Sequence, residues 1–287
     1  MNLSVVIITF NEEANLGRTL ASVQPLVADG KGEIIVVDSG STDGTVEIAK
    51  SFGANVFVEG WKGFAAQKNS AIAKATGDWI LSLDAEEELD ADLQEALQEL
   101  LDSLYRLSTL GKEAKVRSPA KASAASDTDA IPDGEFDGVS IPRKNEFLGR
   151  WIRHGGYWPD PKLRLFRRGR GRFESRAVHE DVQVDGFSRQ VQKGAILHHC
   201  YPTLSDYIEH MNRYSSLGAE MVVAKGKVRS SVINIVLRPL ATFIYNYFFR
   251  LGFLDGREGL LLHLNHAVYV SWKYAKAWEL SRRPYTT

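Results

Sequence analysis

Two carboxylates stand one residue apart at the end of an apolar run, Asp84 and Glu86 in GDWILSLDAEE. Hard divalent cations take oxygen ligands, and Mg²⁺ commonly combines one or two carboxylates with substrate phosphates. A cation held there would offset the negative charge that builds on a departing diphosphate. The same acids also open an acidic run that reaches Asp92 ahead of an apolar-periodic helix, where negative charge is favourable for its own sake. Two other polar stretches follow short apolar runs, TFNEEANL after Leu3 to Ile8 and VVDSGSTDGT after Glu33 to Val37. Asp38 can accept from an N–H such as that of a pyrimidine base. Gly40 and Gly44 permit tight turns close to a ligand.

The elements that would position these groups alternate strand and helix. Leu3 to Ile8, Glu33 to Val37, Asn55 to Val58 and Asp78 to Leu83 read as strands. Helices are expected between them: one capped by Asn11 and carrying Leu16, Leu20 and Val23, one with Val46, Ala49 and Phe52, and one over Phe64 to Ala75. A further helix starts near Asp90. This alternation predicts an α/β fold whose parallel sheet is covered on both faces. Ligands of such sheets sit beyond the carboxyl ends of the strands. Thr9, Asp38 and Asp84 each lie just past such an end, so three separated stretches converge on one edge.

The three stretches, in this order, resemble the inverting glycosyltransferases of family 2, and the resemblance extends over most of the chain. It implies a GT-A fold with a mostly parallel central sheet. It places Thr9, Asn11, Glu12, Asp38 and Ser41 in the nucleotide pocket, with Asp38 on the base. It assigns the metal and diphosphate to Asp84-Ala85-Glu86, where Glu86 replaces the family's usual second Asp with a longer arm, and it implies Mg²⁺ or Mn²⁺ as cofactor. Lys68, in AAQKNSAI, stands where the family has a basic residue near the nucleotide; a solvated helix face accounts for it equally well.

The second half holds the acceptor-side candidates. Tyr157 and Trp158 precede a basic strand carrying Arg164 in GGYWPDPKLRLFRR. Aromatic faces stack on sugars and arginine pairs with phosphate or carboxylate, while an aromatic core beside a basic edge explains the same residues. Inverting transfer needs a base that deprotonates the acceptor hydroxyl. In AVHEDV, Glu180 and Asp181 are adjacent and on a strand would face opposite ways. The V-H-E sequence resembles a branch of family 2 close to lipopolysaccharide core β-glucosyltransferases, which puts the base at Glu180 with His179 beside it and leaves Asp181 as the alternative.

Composition bounds the remaining readings. The 287 residues carry a net charge of −1 and one cysteine, so neither nucleic acid nor a disulfide framework is expected. The start lacks a signal peptide's basic n-region, and no run of about 20 apolar residues predicts a membrane-spanning helix. Residues 108–135, rich in Ala, Ser, Lys and Asp, read as a flexible insertion. A catalytic domain over 1–200 is expected, followed by a helical region over 201–287. There, cations interleave with aromatic residues from Lys225 to Arg257, a composition suited to an anionic membrane surface. The whole reads as an enzyme working in the cytoplasm, peripheral at the inner face of the cytoplasmic membrane. Its expected partners are a UDP-sugar donor and a saccharide or lipid-linked saccharide acceptor. A polyprenyl-phosphate sugar transferase and a catalytically degenerate nucleotide-sugar-binding protein are the alternatives. The absent G-x-G-x-x-G and G-x-x-x-x-G-K-[ST] exclude dehydrogenase and P-loop readings.

Overall fold

The computed structural model describes residues 2–113, 136–174, 181–226 and 232–282. In chain order the strands are β1 (Leu3–Thr9), β2 (Gly32–Asp38), β3 (Asn55–Val58), β4 (Trp79–Asp84), β5 (Glu87–Leu89), β6 (Gly138–Ile141), β7 (Arg143–Phe147), β8 (Arg150–Trp151), β9 (Lys162–Arg167), β10 (Gly171–Phe173), β11 (Val182–Val184), β12 (Ser188–Gln190) and β13 (Ile196–Tyr201). The α-helices are α1 (Leu16–Val27), α2 (Thr45–Ser51), α3 (Phe64–Lys74), α4 (Ala91–Glu113), α5 (Leu204–Ala224), α6 (Arg238–Ile244) and α7 (Gly256–Arg282). The chain divides into two compact units, one of Met1–Ile141, Leu163–Phe173 and Val182–Ala195, the other of Pro142–Lys162, Glu174–Asp181 and Ile196–Thr287.

The first unit is built on a sheet of order β12-β6-β9-β4-β1-β2-β3. Its centre is parallel, β1 lying between β2 and β4, with β3 continuing beyond β2; β9 runs antiparallel to β4. The β-branched runs of β1 and β2 are almost wholly buried, as a sheet covered on both faces requires. On α1, Leu16, Leu20 and Val23 share one face at helical spacing and are each buried. Each contributes roughly 1.5–3 kcal/mol by leaving water. Asn11 caps no helix. Its φ is 55°, in the left-handed region that asparagine tolerates, and α1 begins only at Leu16 behind Asn15. The expected insertion overlaps a helix, because α4 continues to Glu113; residues 114–135 lie outside the described residues.

The second unit pairs β13 with β7 in parallel and β7 with β8 antiparallel. Its core gathers Phe147, Ile152, Tyr207 and Leu262, with Tyr157, Tyr201 and Met211 packed against them. Helix α5 starts at a reciprocal cap: the Thr203 hydroxyl accepts from the Asp206 amide at 3.2 Å, and the Asp206 carboxylate accepts from the Thr203 amide at 3.1 Å. Helices α5 and α7 pack together, and Lys276 of α7 donates to the Asn212 carbonyl of α5 at 2.8 Å. Between them, 233–237 and 245–249 are π-helical on either side of α6. Among the described residues no helix is long and apolar enough to cross a membrane.

Candidate functional site

Strand register places the first unit's polar residues together. Thr9 lies opposite Asp38 across β1 and β2, and Ile8 lies opposite Asp84 across β1 and β4. Three strand exits therefore share one edge, as the alternation of strands and helices implied.

The loops behind β1 and β2 are stitched to each other. The Asn11 amide donates to the Ser41 hydroxyl at 2.8 Å, and the Asn11 side-chain carbonyl accepts from the Thr42 amide at 2.9 Å. The Glu12 amide donates to Thr45 Oγ1 at 2.8 Å, and Glu13 accepts from the Gly44 amide at 2.8 Å. The unusual φ of Asn11 aims both its backbone and its side chain at the opposite loop. Asn11 and Ser41 thus hold the two loops together through contact with one another.

Asp38 is 1% exposed. One carboxylate oxygen accepts from the amides of Gly40 at 2.9 Å and Ser41 at 2.8 Å; the other accepts from the Thr9 hydroxyl at 3.0 Å and from the Ser41 hydroxyl. A carboxylate offers about four lone-pair sites, and here Thr9, Gly40 and Ser41 fill them, so that Asp38 organises the turn and a base N–H reaching it would compete with the Ser41 hydroxyl.

Asp84 is held between two cations. Lys68 Nζ lies 2.6 Å from Oδ1, and an Arg164 Nη2 donates to Oδ2 at 2.8 Å. Lys68 is 7% exposed and sits over the Phe173 ring at 5.1 Å, so the solvated-face reading of this residue fails. Arg164, expected among acceptor-side residues, is buried and reaches the strand-edge carboxylates. It also contacts Glu87 at 2.5 Å, and Glu87 in turn accepts from the Asp84 amide at 3.0 Å. Burial alone would lower the Arg164 guanidinium, but Glu87 and Asp84 raise it above its usual range. Glu87, fully buried, is the residue that sequence reading passed over. Within the run Glu86-Glu87-Glu88 nothing local marks it, because its partner Arg164 lies 77 residues on.

Burial pushes the Glu12 carboxyl up to about 7, with the charges of Glu86, Asp43 and Asp84 adding to the rise and the Asn15 amide opposing it. Among the described residues no group of three His, Cys, Asp or Glu side chains could hold a metal by itself. A Mg²⁺ or Mn²⁺ on Asp84 and Glu86 would draw most of its shell from phosphate oxygens and would share Asp84 with Lys68 and Arg164.

The acceptor-side candidates belong to the second unit. Tyr157 packs into its core, where burial raises the phenol above its ordinary range. Trp158 meets Trp151 edge-on at 5.1 Å. His198 and His199 contact Asn145 at 2.8 Å and Glu146 at 2.7 Å. Asp181 is exposed. His179 and Glu180 lie outside the described residues.

Known proteins match this arrangement. The family model for glycosyl transferase family 2 covers residues 4–115. The lipopolysaccharide core biosynthesis glycosyltransferase LpsC of Rhizobium meliloti (strain 1021) is 31% identical over 296 residues, spanning 98% of this chain and 95% of LpsC. An uncharacterized glycosyltransferase of Rickettsia bellii (strain RML369-C) is 46% identical over 289 residues, spanning 97% of this chain and 87% of that protein. The mannosyltransferase PcManGT from Pyrobaculum calidifontis, solved with GDP-Man and Mn²⁺, superposes with a TM-score of 0.53 at 14% identity, covering 98% of this chain and 88% of its own. That last likeness speaks for the fold alone. Three strand exits meeting at one edge, near-full-length identity to LpsC and a shared architecture lead to one conclusion: the chain is a glycosyltransferase of family 2 with a GT-A-like fold.

Proposed function

We propose that this glycosyltransferase moves a hexose from a UDP-sugar to a hydroxyl of the lipopolysaccharide core, with inversion at the anomeric carbon. The observation that carries the donor half is the meeting of Thr9, Asp38 and Asp84 at one sheet edge. The printed role of LpsC in core biosynthesis supports the acceptor half.

In this reading the stitched loops Thr9 to Glu12 and Asp38 to Thr45 form the floor for the nucleoside. Lys68 and Arg164 orient Asp84, and their cationic charge also favours a nearby diphosphate. A divalent cation on Asp84 and Glu86 would stabilise the charge that gathers on the diphosphate as the bond to the sugar breaks. Glu180 takes the proton of the attacking acceptor hydroxyl, with Asp181 as the alternative base. Tyr157, Trp158 and His179 serve the acceptor side as a proposal from sequence. The enzyme works at the inner face of the cytoplasmic membrane, where a lipid-linked saccharide is presented.

The test is transfer from a panel of UDP-, GDP-, CDP- and dTDP-sugars to truncated lipopolysaccharide core, with the product's anomeric configuration read by NMR. UDP-sugar preference and an inverted product support the reading. Transfer to a polyprenyl phosphate instead, or a retained configuration, overturns it. Glu180→Gln is expected to keep donor affinity and lose transfer; if Asp181→Asn does so instead, Asp181 is the base.

A further inference from the structure

The stretch 232–254 contains no Asp or Glu, and its cations are Arg238 and Arg250. Lys225, Lys227 and Arg229 precede it and Arg257 follows. Within it only Pro239 and Gly252 are buried. One side rests on α7, where Ser271 donates to the Ile235 carbonyl at 2.8 Å and Arg238 contacts the Tyr274 hydroxyl. The remainder leaves Val232, Val236, Leu240, Tyr245, Phe248 and Phe249 open, Val232 at 70% and Phe249 at 75% exposure. Large aromatic and aliphatic side chains left open in such number expose on the order of 1,000 Å² of apolar surface, above the few hundred usual for a monomer.

We propose that this face of the second unit is a monotopic membrane-docking surface that takes an anionic phospholipid bilayer. Helices too short and too charged to cross a bilayer can lie in its interface, apolar side chains entering the acyl boundary while arginines meet phosphate headgroups. Charge decides between the bilayer and a second copy of the chain. A two-fold interface sets the patch against a second copy of itself, and the copy's stretch carries no acid that could pair with Arg238 or Arg250. The nearest acids downstream are already engaged: Asp255 is buried against His154 at 3.0 Å, and Glu258 lies 3.6 Å from Arg150. An anionic surface supplies the missing complement.

This surface deepens the proposed place of work at the membrane and rests on that reading, but not on the donor chemistry. Its test is co-flotation of the full-length protein with phosphatidylcholine vesicles, with and without phosphatidylglycerol, over a salt series. Flotation only with phosphatidylglycerol, falling as salt rises, is expected. Phe248→Ser/Phe249→Ser is expected to cut partitioning about tenfold, while donor-induced thermal stabilisation matches wild type. Should the double variant unfold, Phe249→Ser alone is expected to lower partitioning in the same direction. Absence of vesicle binding, or equal binding to neutral vesicles and by the variant, overturns the proposal. So does a concentration-dependent dimer in sedimentation that the variant abolishes, which gives the face to a second copy. Failure here with intact nucleotide binding leaves the transferase reading standing, and loss of nucleotide binding with intact flotation does the reverse.

Discussion

The sheet edge of the first unit and the helical stretch 232–254 of the second are opposites in how they satisfy their groups. At the edge, polar atoms find one another: four donors fill Asp38, two cations hold Asp84, and Asn11 binds the loop across from it. In the helical stretch, apolar side chains meet mainly one another, as Tyr245 does Phe249 and Phe243 does Phe248, and stay largely open to solvent. A preorganised polar site costs little reorganisation when charge develops on a ligand. An open apolar face costs free energy in water and is tolerated where something covers it.

Substitutions can break that contrast. The largest effect is expected at Asp84→Asn: turnover falls by about 10²–10³ or more, as for loss of a group aimed at developing charge, and folding survives because Glu87 still pairs with Arg164 and Asp84 is partly solvated. Steady-state kinetics with a thermal melt checks both halves. Next comes Glu87→Ala, which removes a buried partner of Arg164 and the acceptor of the Asp84 amide. Breaking such a pair costs about 3–5 kcal/mol, so a large drop in the denaturant midpoint is expected, with Glu87→Gln intermediate.

A pH effect follows at Glu12. Its folded pKa of about 7 stands above its ordinary value, so the folded protein binds more protons between roughly 4.5 and 7 than the unfolded chain does. Stability of metal-free protein is therefore expected to fall as pH rises through that window. Part exposure of Glu12 reduces the effect to about 1–2 kcal/mol. Glu12→Gln should flatten that part of the profile, measured by chemical unfolding in chelator. The smallest effect on stability is expected at the docking face: Phe249→Ser, at a solvated position, should leave the melting temperature nearly unchanged, within about 0.5 kcal/mol.

Much of this fold is legible in local sequence pattern. The β-branched runs of β1 and β2, the helical spacing of Leu16, Leu20 and Val23, and β9 at Lys162–Arg167 all read directly from the chain. The polar groups at three strand exits did as well. What escaped was non-local. Asn11 looked like a cap because its neighbours are helical, but its partners lie about thirty residues on, in the Ser41-Thr42 turn. Lys68 looked half solvated because α3 has a weak apolar stripe, and only the fold brings Asp84 and Phe173 to it. Arg164 looked like an acceptor residue because its strand is basic, whereas its acids sit about eighty residues earlier. Strands of two or three residues such as β5, β8 and β12 have no period long enough to read.

The most direct test of a metal-assisted donor site at the strand edge is thermal-shift binding of UDP-, GDP-, CDP- and dTDP-sugars, with and without Mn²⁺, to wild type and Asp84→Asn. Stabilisation by UDP-sugars that needs Mn²⁺ and vanishes in the variant is the expected result. Well-folded wild type that no nucleotide sugar stabilises, or a variant that binds like wild type, would contradict it.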